Sequence, residues 1–186
     1  MKQFIYCLIC CLGFTFLNAQ TPEEMKAWET SMTPGAEHKW METYAGEWGV
    51  EMKIWMDPSQ PPVVSKGSCT NTMTMGGRYM EYVFKGDFMG MPFEGKGAMG
   101  FDNTEKKFKS TWRDSMSTGI MYTVGTYDEK TQTMTSFGTS LDPMSKQEMK
   151  TKELTKYISK DKYVMEMFME FGGQEFKTME LTYSRK

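Results

Sequence analysis

The sequence predicts an all-β protein: a ten-stranded antiparallel meander closed into a barrel behind a short N-terminal helical segment. Three observations carry this. From Trp48 onward apolar and polar residues alternate with a period of two, the period of strands with one buried face. Turn-forming pairs break the alternation at short intervals. The connections are too short for helical crossovers, so each strand must pair antiparallel with its chain neighbour. An open sheet of that size would leave two bare edges and an apolar face; closure removes both. A two-sheet sandwich is the alternative, and uniformly short connections favour the barrel.

Element by element, Thr21 can cap a helix with Pro22 at its first position and Glu23 and Glu24 in its first turn. Met25, Trp28 and Met32 recur at helical spacing, and Pro34-Gly35 ends the run. A second helix over Ala36–Tyr44 would put Trp40, Met41 and Tyr44 on one face, with Gly46 as its stop. In the first strand Trp48, Val50, Met52, Ile54 and Met56 alternate with Gly49, Glu51, Lys53 and Trp55, up to Asp57-Pro58. Further strands are expected over 63–75, 78–88, 93–101, 107–114, 119–127, 131–140, 148–159, 162–171 and 175–183. Between them lie Gly76-Gly77, Asp102-Asn103, Asp128-Glu129, Asp142-Pro143, Lys160-Asp161 and Gly172-Gly173. The chain thus divides into 20–46, a helical segment, and 47–186, the barrel.

The residues before this division read as a signal peptide, 1–19. Lys2 supplies the positive start, Phe4 to Leu17 is apolar, and Ala19 precedes an expected mature start at Gln20. About 20 apolar residues are needed to span a bilayer, and this run is shorter. The expected location is periplasmic or extracellular, with no membrane span. Cys7, Cys10 and Cys11 leave with the signal, so Cys69 alone remains and no internal disulfide can form. A net charge of −2 carries no nucleic-acid footprint.

Several stretches together resemble a bacterial family known as domain of unknown function 1579. They include Ala45-Gly46-Glu47-Trp48, Trp55-Met56-Asp57-Pro58, Gly76-Gly77-Arg78 and Gly90-Met91-Pro92-Phe93-Glu94-Gly95. Gly100-Phe101-Asp102, Trp112-Arg113-Asp114-Ser115, Gly125-Thr126-Tyr127-Asp128 and Tyr183-Ser184-Arg185 follow in order. The resemblance runs from about residue 33 to the end and implies a lipocalin-like barrel, with no established activity. Gly46-Glu47-Trp48 is also similar to the opening of lipocalins and of the haem-binding nitrobindins. The nitrobindin resemblance would need a His near the chain's end, and none follows His38. No cofactor is expected.

Eight strands can already enclose one small ligand, so ten should leave a cavity unless large side chains fill it. The chain's 21 Met residues admit both outcomes, as filler of an irregular core or as the wall of an adaptable apolar pocket. The expected partner is a small hydrophobic or amphipathic ligand. Trp48, Trp55, Tyr82 and Trp112 are candidate lining groups, with Arg78 and His38 as polar anchors. A guanidinium can hold a ligand carboxylate with paired hydrogen bonds. Arg78 could equally pair with Glu81, Glu94 or Asp114, and His38 could serve the helix–barrel junction.

Trp112 and Asp114 share a strand face, as do Glu94 and Lys96. If Asp114 is interior it needs a partner, with Arg78 or Tyr82 the candidates. Asp114 and Glu94 could also act as paired acid and base, the enzymatic alternative; a filled barrel working through its outer surface is the third. Met73, Met75 and Met80, Met89 and Met91, and Met165, Met167 and Met169 offer soft thioethers of the kind that suit Cu(I). The same spacing lines a core, His is nearly absent, and no metal is expected. No phosphate-binding, dinucleotide-binding or zinc-protease motif is present after the signal.

Overall fold

The computed structural model describes residues 21–186, apart from the side chain of Phe171. The signal-peptide segment lies outside the described residues. Two helices precede ten strands: α1 (Pro22–Met32), α2 (Ala36–Glu42), β1 (Gly46–Ile54), β2 (Val63–Thr74), β3 (Tyr79–Phe88), β4 (Met91–Asp102), β5 (Lys107–Asp114), β6 (Met121–Asp128), β7 (Thr133–Leu141), β8 (Glu148–Ser159), β9 (Lys162–Phe171) and β10 (Gln174–Arg185). Every strand pairs antiparallel with its chain neighbours, and β10 returns to β1 to close the barrel. The predicted class and strand order therefore match, with β5, β8 and β9 coinciding and no strand boundary off by more than two residues.

Thr21 caps α1 as expected. Its hydroxyl accepts from Glu24 N at 3.2 Å and the Glu24 carboxylate accepts from Thr21 N at 2.7 Å. No residue of α1 is buried. The helix is held instead by its C-terminal carbonyls: Asn103 Nδ2 donates to Thr30 O and Thr33 O, and Arg78 Nη2 to Met32 O. α2 stops at Glu42 rather than Tyr44, and Gly46, expected as its stop, opens β1 with a φ of 125°.

In β1 the alternation buries Trp48, Val50, Met52 and Ile54. This settles which face of each strand is interior. Antiparallel register carries the choice round the barrel: Trp48 lies opposite Cys69, Cys69 opposite Phe84, Phe84 opposite Gly95, and Gly95 opposite Asp114.

α2 closes one end of the barrel. Trp40 packs against Tyr127, Tyr157, Tyr44 and Phe108 at centroid distances of 4.5, 4.8, 5.4 and 5.5 Å. The main-chain oxygen of Tyr44 accepts from Trp48 Nε1 at 3.1 Å and from Asn71 Nδ2 at 2.9 Å. Arg185 at the end of β10 reaches across to the chain entering β1. It donates to Ala45 O at 2.8 Å and Thr43 O at 2.7 Å, pairs with Asp161, and lies 4.4 Å over the Trp48 ring. The result is an aromatic floor tied to the main chain at Thr43, Tyr44 and Ala45.

Candidate functional site: the barrel cavity

Above this floor the barrel encloses a cavity of about 420 Å³, within the usual range for small-molecule sites. It extends from Tyr44 and Asn71 toward the opposite mouth, where Phe88, Phe93, Met116 and Ser117 line it. The walls are mostly thioether and aromatic, with Met80, Met99, Met134 and Met165 among them. The interior is thus not solid, and the methionines serve as wall as well as filler.

Two of the predicted lining groups stand together here. Tyr82 and Trp112 stack at 6.0 Å with an interplanar angle of 20°. Both lie over glycines of β4. A Cβ on Gly95 would sit 2.1 Å from the Trp112 ring, and one on Gly97 would sit 2.2 Å from the Tyr82 ring. Tyr82 donates to Thr111 O at 3.1 Å, and burial pushes its phenol well up from the ordinary value. Asp114 is interior, as the shared face with Trp112 required. Its partner is neither Arg78 nor Tyr82: Trp112 Nε1 donates to one carboxylate oxygen at 2.9 Å, and Met116 N to the other at 2.9 Å.

The remaining predicted site residues lie elsewhere. Glu94 is exposed on the outer face, 3.2 Å from Lys96. Because Asp114 registers with Gly95, the adjacent Glu94 side chain points away from it, and the acid–base pair of the enzymatic alternative does not form. Arg78 is exposed and donates to Met32 O at 2.7 Å and Met75 O at 3.2 Å, tying α1 to the β2–β3 turn. It does not reach the cavity. His38 is buried under the floor, where its Nδ1 accepts from Gly35 N at 3.0 Å and its ring meets Phe101 edge-on. Burial lowers its pKa below 6.5, with Glu37 opposing. Trp48 is fully buried in the floor, outside the cavity lining. Trp55 stands just past β1 with Lys177 Nζ 4.9 Å from its ring centre, on the outside.

The polar centre of the cavity falls on residues the sequence did not single out. Glu153 of β8 projects into it, with Ser136 opposite on β7 and Met167 opposite on β9. Desolvation raises its pKa to about 7, partly offset by a hydrogen bond from Thr123. The signal lay in β8 itself. Lys150, Lys152 and Lys156 occupy one face, while Thr151, Glu153, Thr155 and Tyr157 occupy the other, so Glu153 is an acid on the lysine-free side. Tyr157, Tyr163 and Tyr183 also border the cavity with pKa values pushed up by burial. Cys69 is buried, its thiol pushed up to about 12, and its sulfur donates to Asn71 Oδ1 at 3.3 Å, so it is inert. Among the described residues no group of three or more His, Cys, Asp or Glu is placed to hold a metal ion. No helix among them is long and apolar enough to cross a membrane.

Residues 33–185 match the family described as "Protein of unknown function (DUF1579)". The chain belongs to the DUF1579 family. Solved structures agree on the architecture of this DUF1579 barrel. Rv2717c from M. tuberculosis superimposes with a TM-score of 0.59 at 13% identity, covering 83% of this chain and 99% of that one. The S-type phycobiliprotein lyase CPES from Guillardia theta gives 0.55 at 10% identity, covering 82% and 93%. At these identities the likeness is of fold alone. No curated protein matches the chain in sequence.

Proposed function

We propose that this DUF1579 protein binds a small hydrophobic or amphipathic molecule inside its barrel. One observation carries the reading: a cavity of about 420 Å³ with thioether and aromatic walls and a few converging polar groups. Burying an apolar ligand there gains roughly 25 cal/mol for each Å² removed from water. Methionine walls let the pocket adapt to ligand shape at little strain. The enzymatic alternative loses its proposed pair, because Asp114 and Glu94 occupy opposite faces of the sheet. The apolar N-terminal run supports binding outside the cytoplasm as part of this proposal, with Gln20 the proposed mature start.

Native mass spectrometry of protein purified gently from its own host, beside a denatured control, tests the proposal. The expected result is an added small mass that is lost on denaturation. A bare mass, together with no binding of a neutral aromatic probe such as naphthylmethanol, would overturn it.

A further inference from the structure

The cavity carries acid and no base. Its lining includes Asp114 and Glu153 but no Lys, Arg or His. The two acids differ in what already satisfies them. Both oxygens of Asp114 accept hydrogen bonds from the protein. Glu153 has the Thr123 side chain beside it, and its strand neighbours across the sheet are Ser136 and Met167. The nearby lysines of β8 face outward, where Lys150 pairs with Glu170 and Lys152 with Glu175. Among the described residues, no cation faces Glu153 from within the cavity. A carboxylate held in an apolar site without a counter-ion is costly when ionised, and a cation supplied by a ligand relieves that cost.

Resting on the binding reading above, we infer that the preferred occupant is a cationic amphiphile. Its ammonium group would donate to the Glu153 carboxylate beside Thr123, and its apolar body would lie along the methionine and tyrosine walls. Tyrosine faces attract a cation and thioethers pack well against aromatic rings, so the same walls suit both parts of such a ligand. An anionic amphiphile would instead bring a third carboxylate into a space without a base, so the cavity selects against fatty-acid-like ligands.

The inference carries a pH signature. The titratable groups that line the cavity with Glu153 are Tyr44 before β1, Cys69 on β2, Tyr82 on β3, Asp114 on β5, Tyr157 on β8, Tyr163 on β9 and Tyr183 on β10, with Thr123 and Ser136 beside Glu153. Burial keeps these tyrosines and Cys69 neutral well above neutral pH. Glu153 titrates near neutrality, so a cation should bind more tightly as pH rises from about 6 to about 8.

The test is calorimetric titration of the full chain with three probes sharing one ring: naphthylmethylamine, naphthylmethanol and naphthoate. Near pH 8 the amine should bind about ten- to a hundredfold more tightly than the alcohol, as a hydrogen bond to a charged group implies. The carboxylate should bind weakest. The amine's advantage over the alcohol should shrink several-fold near pH 6 and disappear in Glu153→Gln. Should Glu153→Gln fold poorly, the probe order and its pH dependence in the native protein decide. An alcohol binding as tightly as the amine, or a carboxylate binding more tightly, would overturn the ligand class and leave the binding reading standing. Failure of all three probes would overturn the ligand class, and together with a bare native mass it would overturn the binding reading as well.

Discussion

The two ends of the barrel interior are built on different principles. At the α2 end, Trp40, Tyr44, Trp48, Tyr157 and Tyr163 pack ring on ring, and the main-chain oxygen of Tyr44 takes the Trp48 and Asn71 N–H groups. Toward the other mouth the walls are thioethers and spaced aromatics around open volume, with Glu153 facing that volume. Rings with few rotatable bonds make the floor a rigid plug, whereas methionine makes an adaptable wall. Adaptability is of no use to a plug. The contrast fits the floor to a structural role and supports the proposed ligand site in the upper cavity.

Four substitutions would break or sharpen that contrast. The largest effect is expected at Trp48, which is fully buried in the floor. Trp48→Ala should lower the unfolding free energy by about 3–5 kcal/mol, measured by denaturant titration. A loss under about 1 kcal/mol would mean that the floor does not hold the barrel together.

Next is Glu153. Its folded pKa of about 7 lies above the ordinary carboxyl value, so the native state binds the extra proton. That contribution to stability is fully present below about pH 4 and is lost as pH rises through about 7. Glu153→Gln should therefore be more stable than the native protein near pH 8 by on the order of 2 kcal/mol, with the difference gone in acid. A variant less stable than the native protein near pH 8 would mean that Glu153 has an internal counter-ion.

His38 gives the opposite sign at the other end. Burial lowers its pKa, so its contribution is present above 6.5 and is lost as pH falls below that value. His38→Asn keeps an acceptor for Gly35 N and should flatten the acid side of a melting-temperature profile. An unchanged acid slope would show that another group sets it. The smallest effect is expected at Met121, a half-buried residue of the cavity wall. Met121→Ala should cost less than about 1 kcal/mol while changing probe affinity, because its side chain borders space that is already empty.

Much of the fold was legible in the sequence because its rules are local. Period-two alternation places Trp48, Val50, Met52 and Ile54 on one face, and pairs such as Gly76-Gly77 and Gly172-Gly173 supply the positive φ their hairpins need. The closed register follows from short connections. The site was less legible because its roles are set by distant main chain. Nothing local tells that Arg78 meets Met32 O, 46 residues away, whereas His38 accepts from Gly35 N only three residues before it, a cap that competes with its reading as a ligand anchor. Trp55 failed for a different reason: alternation sets it on the face opposite Trp48 and Ile54, and its ring turns outward to Lys177. Tyr82, Trp112 and Asp114 reach the cavity because strand alternation places them correctly once one face is known. Glu153 was passed over because an acid in a lysine-rich strand reads as half of a surface ion pair. Only the lysine-free company of Thr151, Thr155 and Tyr157 marks it as interior.

The central claim is that the upper cavity, and not the floor or the outer surface, receives a ligand. Methionine is distributed so that its own methyl resonances can report this. Met80, Met99, Met134 and Met165 line the cavity, Met41 is buried outside its lining, and Met25, Met32 and Met144 are exposed. Titrating naphthylmethanol into protein with isotope-labelled methionine methyls should shift the first group and leave the others in place. Shifts confined to Met25, Met32 and Met144, with the cavity methyls unmoved, would place binding on the outside and contradict the account.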